Sequence, residues 1–169
     1  MHITAKVDYA VRTLLEIARA PKLNQAPFAE APGVQIAPVV KAEAIATAQR
    51  IPPKVLETVL GDLRRGELVI SRRGPDGGYW LARPATEISV ADVIRAIEGP
   101  LASVRGERPE DVTYPGAAES LQKVWIALRV NIRAVLENVS IDDIANDRLP
   151  QFVDALTEDP GAWVRREHR

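Results

Sequence analysis

The densest pair of positive charges stands directly before a glycine cluster: residues 71–81 read SRRGPDGGYWL, with Arg72 and Arg73 entering a turn-forming GPDGG. A guanidinium is always charged and carries a rigid fork of donors. On a tight turn it can enter the narrow minor groove of DNA, where the negative potential is strongest. Gly74, Gly77 and Gly78 are expected to let the backbone adopt positive φ and approach a sugar-phosphate wall closely. Just upstream, PKVLETVLGDLRRG (53–66) turns Lys54, Glu57, Thr58, Asp62, Arg64 and Arg65 away from the apolar stripe Leu56, Val59, Leu60, Leu63. Lys54 and Thr58 can bond bases or phosphates, and Glu57 can accept from the amino group of cytosine. Lys41 and Arg50 are further candidate phosphate anchors. Each feature alone also reads as an ordinary wet surface, but a basic hairpin immediately behind such a helix is a far more specific arrangement.

Other chemistries find little support. The chain has no cysteine, which excludes thiolate metal sites, cysteine-held clusters, disulfides and cysteine nucleophiles. Its two histidines, His2 and His168, lie at the extreme ends. No nucleophile–base–acid set or metal-ligand spacing can be assembled, so no enzyme is predicted. Gly74-x-x-Gly77-Gly78 is followed by β-prone residues rather than a helix, which rules out a nucleotide-cradling loop. Trp80 is expected to pack the hairpin onto the helices. No secretory leader or long apolar run is visible, so no membrane association is predicted and a cytoplasmic location is expected. The net charge of −1 is uninformative, but residues 41–84 carry eight Lys/Arg against five Asp/Glu, and residues 85–169 ten against fifteen. A mildly basic middle and an acidic remainder suit one phosphate-facing surface.

The elements positioning these residues follow from periodicity. Residues 3–19 form a helix with Val7, Ala10, Val11, Leu14, Leu15 and Ala18 on one stripe and Thr4 as cap. Pro21, Pro27, Pro32 and Pro38 make 21–38 an irregular connection. Residues 39–49 read as a short helix with Val40, Ala44, Ile45 and Ala48 inward. Pro52 and Pro53 open the next helix, and Gly66 ends it. Two β-prone runs, 68–71 and 79–81, then flank the glycine turn. Helix, helix, hairpin is the order of a winged helix-turn-helix. Ser89-x-x-Asp92 starts a helix stopped by Gly99 and Pro100, and residues 101–116 look like a long loop. From 117 to 139 a stripe of Leu121, Val124, Trp125, Leu128, Ile132, Val135, Leu136 and Val139 extends over about six turns. That is more than so small a domain can cover, and it predicts a dimer seam. Ser140-Ile-Asp-Asp143 starts a last helix.

The segments DYAVRTLLEIA (8–18), LRRGELVISRRGPDGGYWLA (63–82) and ISVADVIRAIEGPL (88–101) together resemble the IscR/NsrR/CymR-type transcription regulators of the Rrf-two family. The likeness spans roughly residues 1–140, and RGPDGGYWLA is its most specific piece. It implies a winged helix-turn-helix with a long dimerisation helix, and homodimers on palindromic promoter DNA. Lys54 and Glu57 fall on the base-reading helix and Arg73 at the wing tip. Many members hold an iron-sulfur cluster through three cysteines in the loop before the long helix; here ASVRGERPEDVTYPGAAES has none, with Glu119 at the last cysteine position. Asp8 matches an acidic cluster ligand of some members, and without thiolates it reads as a surface or capping group.

The expected architecture is mainly α with a small β-hairpin. It comprises a winged helix-turn-helix domain over 1–99 with its wing at about 68–82, a loop at 100–118, a dimerisation helix and C-terminal helix over 117–156, and a flexible tail from 157 to 169. The expected function is a cofactor-free, homodimeric regulator, a repressor, on pseudo-palindromic double-stranded DNA. The loop over 101–118 is open to a small effector, a partner protein or neither. A protein-interaction module using the acidic C-terminal half is the alternative.

Overall fold

The protein, seen as a computed structural model, is described over residues 2–20 and 39–164. The proline-rich connection and His168 lie outside the described residues. Helix α1 (Ala5–Arg19) begins where the Thr4 hydroxyl accepts from the Val7 amide at 3.3 Å. It buries Val7, Ala10, Leu14 and Ile17, with Val11, Leu15 and Ala18 half-buried beside them. It packs against α2 (Ala42–Gln49), α3 (Pro53–Arg65), α4 (Val90–Glu98) and α6 (Ile141–Ala145). Ile45, Leu56, Val59, Leu60, Leu63, Leu68, Val93 and Ile141 complete one core. A fully buried side chain of this size contributes about 1.5–3 kcal/mol.

Helix α2 starts three residues later than its periodicity suggests. Residues 39–41 are extended because Val40 pairs with Tyr79, each amide donating to the other's carbonyl at 2.9 Å. The helix turns Ile45 inward with Ala42 and Ala46, and Ala44 and Ala48, expected inside, face solvent. Helices α2 and α3 end in the same way. The Ile51 amide reaches the Ala46 carbonyl and Leu68 reaches Leu63, with Arg50 (φ 52°) and Glu67 (φ 56°) left-handed in between. Gly66 is the last half-helical residue of α3, and Glu67 carries the left-handed turn behind it.

The wing is an antiparallel pair, β1 (Val69–Arg72) and β2 (Gly78–Leu81), in the register Val69↔Leu81, Ile70↔Trp80, Ser71↔Tyr79, Arg72↔Gly78. Alternation puts Val69, Tyr79 and Leu81 on the core side. Trp80, expected to dock the hairpin, instead pairs with Ile70 on the outer face; Tyr79 does the docking.

Helices α4 and α6 both begin with a capping box, Ser89/Asp92 and Ser140/Asp143. The two caps are stitched together, the Val90 amide donating to the Val139 carbonyl at 3.0 Å and Ile141 to Ile88 at 2.8 Å. This stitch shortens the long helix: α5 covers only Leu121–Leu136, 16 residues, because the chain must turn before Val139 to reach Ser89. At its other end Gly116 (φ 56°) and a 3-10 turn over Gly116–Ala118 replace the expected first turn. No residue of α5 is fully buried. Helix α7 (Gln151–Thr157) follows, then a 3-10 turn at Pro160–Ala162, where the Trp163 indole donates to the Thr157 carbonyl. No described helix is long and apolar enough to cross a membrane.

Candidate nucleic-acid interface

Burying Leu56, Val59, Leu60 and Leu63 leaves Lys54, Glu57 and Thr58 exposed on the opposite side of α3. The Thr58 hydroxyl donates back to the Lys54 carbonyl at 3.1 Å, which keeps its lone pairs directed outward. Arg64 and Arg65 are also exposed, Arg64 lying 3.4 Å from the Ser71 hydroxyl of β1. Asp62 does not belong to this face. It is only 6% exposed and is held by the Lys6 ammonium of α1 and the Arg65 guanidinium, so it ties α3 to α1. Nothing in the sequence announces the Lys6–Asp62 pair, because its members are distant in the chain.

A second polar network fixes the turn between α2 and α3. Arg12 donates to the side-chain oxygen of Gln49 at 3.0 Å and caps the Gln49 carbonyl, and it is paired with Asp8 at 3.0 Å. Asp8 is therefore a local partner of Arg12. Arg50, next in the chain, is exposed with its backbone left-handed.

The wing carries Arg72 at the end of β1 and Arg73 in the turn, both exposed. Its three glycines serve two different needs. Gly74 is left-handed (φ 105°) with open space where a side chain would be. A Cβ on Gly77 would lie 2.1 Å from the Arg72 carbonyl oxygen, and one on Gly78 would lie 2.8 Å from that of Val40. Two of the three are thus demanded by the protein's own packing, and only Gly74 presents relaxed backbone outward. Lys41 reaches across from the start of α2, its ammonium donating to the Pro75 carbonyl in the wing turn. Lys41 is accordingly a wing-positioning cation, and with Val40 and Gly78 it fastens the wing to the helix-turn-helix.

Of the residues expected at a dimer seam, Val124 and Leu128 are the most open, at 54% and 46% exposure; Leu121, Trp125, Ile132, Val135 and Leu136 are half-buried. Trp125 has an internal partner, donating to the Tyr114 hydroxyl at 3.0 Å. Around it the 101–118 loop is laid against α5. Gln122 donates to the Glu110 carbonyl at 3.0 Å, Arg129 pairs with the Glu110 carboxylate, and Arg105 covers the Tyr114 ring at 5.7 Å. The Glu110 carboxyl is held below the usual range by backbone hydrogen bonding and then by Arg129. The loop also contains a tight bridge, Val104↔Glu107, through left-handed Arg105 and Gly106.

Comparison with known proteins identifies the kind of protein this chain resembles. The Rrf2 family pattern, described as an iron-dependent transcriptional regulator, matches residues 33–147. A Mycobacterium tuberculosis protein described as an HTH-type transcriptional regulator is 44% identical over 99% of this chain and 96% of its own length. The transcriptional regulator IscR of Sodalis glossinidius is 31% identical over 94% and 88%. Among solved structures, CymR, the global cysteine regulator of B. subtilis, superposes with a TM-score of 0.64 at 26% identity, covering 86% of this chain and 97% of its own. These relatives are regulators of transcription and not enzymes.

Iron dependence in the family pattern raises the question of a metal site. With no cysteine in the chain, a thiolate-held cluster has no donors. Among the described residues no three of His, Cys, Asp and Glu converge, and Glu110 of the 101–118 loop is taken by Arg129. The described residues do not fit the group.

Proposed function

The chain belongs to the Rrf2 family of transcriptional regulators, and we propose that it is a cytoplasmic, homodimeric repressor that reads a pseudo-palindromic operator without an iron-sulfur cluster. Base reading is assigned to Lys54, Glu57 and Thr58 at the head of α3. Phosphate anchoring is assigned to Arg50 and Arg72, and minor-groove insertion to Arg73 on the Gly74 tip. Two such heads, paired through α5, meet successive major grooves about one turn of DNA apart. The observation that carries this reading is the fastening of the wing, with its exposed Arg72 and Arg73, to the helix-turn-helix by Val40, Lys41 and Gly78.

The test is binding to a duplex selected from a random DNA pool, or from the promoter upstream of its own gene, across a salt series. Affinity should fall with a log–log slope of about −0.9 per phosphate neutralised. Arg73→Ala should weaken binding while the dimer stays folded. Glu57→Ala should relax base preference by about 1–3 kcal/mol at one position of each half-site. A flat salt response, or equal loss on every sequence for Glu57→Ala, overturns the assignment.

A further inference from the structure

Gly61 stands at the ninth of thirteen positions in α3, where glycine opposes the helix: relative to alanine it lowers the folded-to-unfolded ratio about fivefold. Apart from Gly161 in the terminal 3-10 turn, the other described glycines have an internal reason for being glycine. Gly74, Gly99, Gly106 and Gly116 are left-handed, and a Cβ on Gly66, Gly77 or Gly78 would approach a neighbour to 2.6, 2.1 or 2.8 Å. Gly61 has neither excuse. Its backbone is helical, and the one atom within 4 Å of a Cβ built there is the tip of Arg65, at an ordinary 3.6 Å. Alanine would fit and would strengthen the helix. The position lies on the stripe Lys54, Thr58, Gly61, Arg65, spaced four, three and four, opposite the buried stripe.

We propose that Gly61 sets the depth at which α3 enters the major groove, the missing side chain allowing the helix backbone to lie against the DNA. This rests on α3 being the base-reading helix. Seating depth matters most to the short side chains: Glu57 and Thr58 have little reach, and hydrogen bonds weaken steeply as they lengthen. The long arginines can follow the phosphates if the helix is raised by a methyl group. A Gly61 side chain should therefore damage base reading more than phosphate anchoring.

Gly61→Ala and the bulkier helix former Gly61→Gln are compared with the unchanged protein for melting temperature, for affinity to the duplex that the unchanged protein selects from a random pool, and for affinity to an unrelated duplex. Both variants should melt higher, by about 2–4 °C. Both should bind the selected duplex more weakly, by about tenfold for Ala and more for Gln, with a smaller loss on the unrelated duplex. Opposite signs for stability and binding are not expected of a residue kept for folding. Unchanged or tighter binding by Gly61→Ala, or an equal loss on both duplexes, overturns the proposal. If the unchanged protein selects no sequence, it is the base-reading assignment that fails.

Discussion

Arg50 and Glu67 occupy equivalent positions, each the left-handed residue behind a helix, and neither is glycine. An L side chain in that conformation costs about 1–2 kcal/mol. Glycine would remove the strain but adds about 0.4–1 kcal/mol of freedom to the unfolded chain. Glu67→Gly should therefore stabilise the protein by roughly 0.5–1 kcal/mol, read as a rise of a few degrees in melting temperature. Arg50→Gly should stabilise it comparably, but it also removes a cation assigned to phosphate. Its DNA affinity should fall and its salt slope should flatten by about one unit. If Arg50→Gly keeps full affinity and slope, Arg50 is only a turn residue. The comparison separates backbone conformation from positive charge because Glu67 has the first without the second.

Helix α5 presents two adjoining faces, and the sequence showed only their sum. Gln122, Trp125 and Arg129 receive the 101–118 loop, whereas Val124 and Leu128 are open apolar side chains on one unpartnered stripe. If two copies pair through α5 as proposed, Val124→Glu with Leu128→Glu should break the dimer into monomers in sedimentation, with helix content retained, because both changes put charge on open apolar positions of that helix. Trp125→Phe keeps the ring and loses the bond to Tyr114, so it should loosen the loop and leave the dimer intact. A double variant that remains dimeric places the seam elsewhere. The buried stripes of α1 and α3, the Thr4 cap, both Ser/Asp starts and the wing were legible because each is set by near neighbours in the chain. The rest was not, because it depends on distant partners. Val40 leaves its helical period to pair with Tyr79, Trp80 yields the docking role to Tyr79 through strand register, and α5 stops early to join Ser140 to Ser89.

At the scale of the whole molecule, the loop between the winged domain and α5 is fastened to that helix by side chains of the chain itself. The fastening is an acid–base clasp, Glu110 on Arg129, reinforced by Tyr114 on Trp125. A clasp made of the protein's own side chains needs neither iron nor a particular redox state. DNA affinity should then be unchanged by iron chelation, by anaerobic incubation with iron and sulfide, and by peroxide; visible cluster absorbance together with altered binding would refute this. Acid should have an effect where oxidants do not. Glu110 and Asp143 are both held below the usual carboxylate range, the first by backbone hydrogen bonding and Arg129, the second by the Ser140 hydroxyl and amide. Each therefore binds its proton less readily folded than unfolded, and their contributions are present above the unfolded pKa of about 4 and disappear as pH falls through the lower folded values. Glu110→Gln keeps the shape of the side chain but discards the charge. It should speed hydrogen exchange in residues 104–114 at neutral pH and weaken the response of that loop to acid, while exchange at the Ser140 cap keeps its own acid response. Identical exchange in the variant and the unchanged protein would show that loop position is set without the Glu110 charge, by contacts such as Trp125 on Tyr114 and Gln122 on the Glu110 carbonyl.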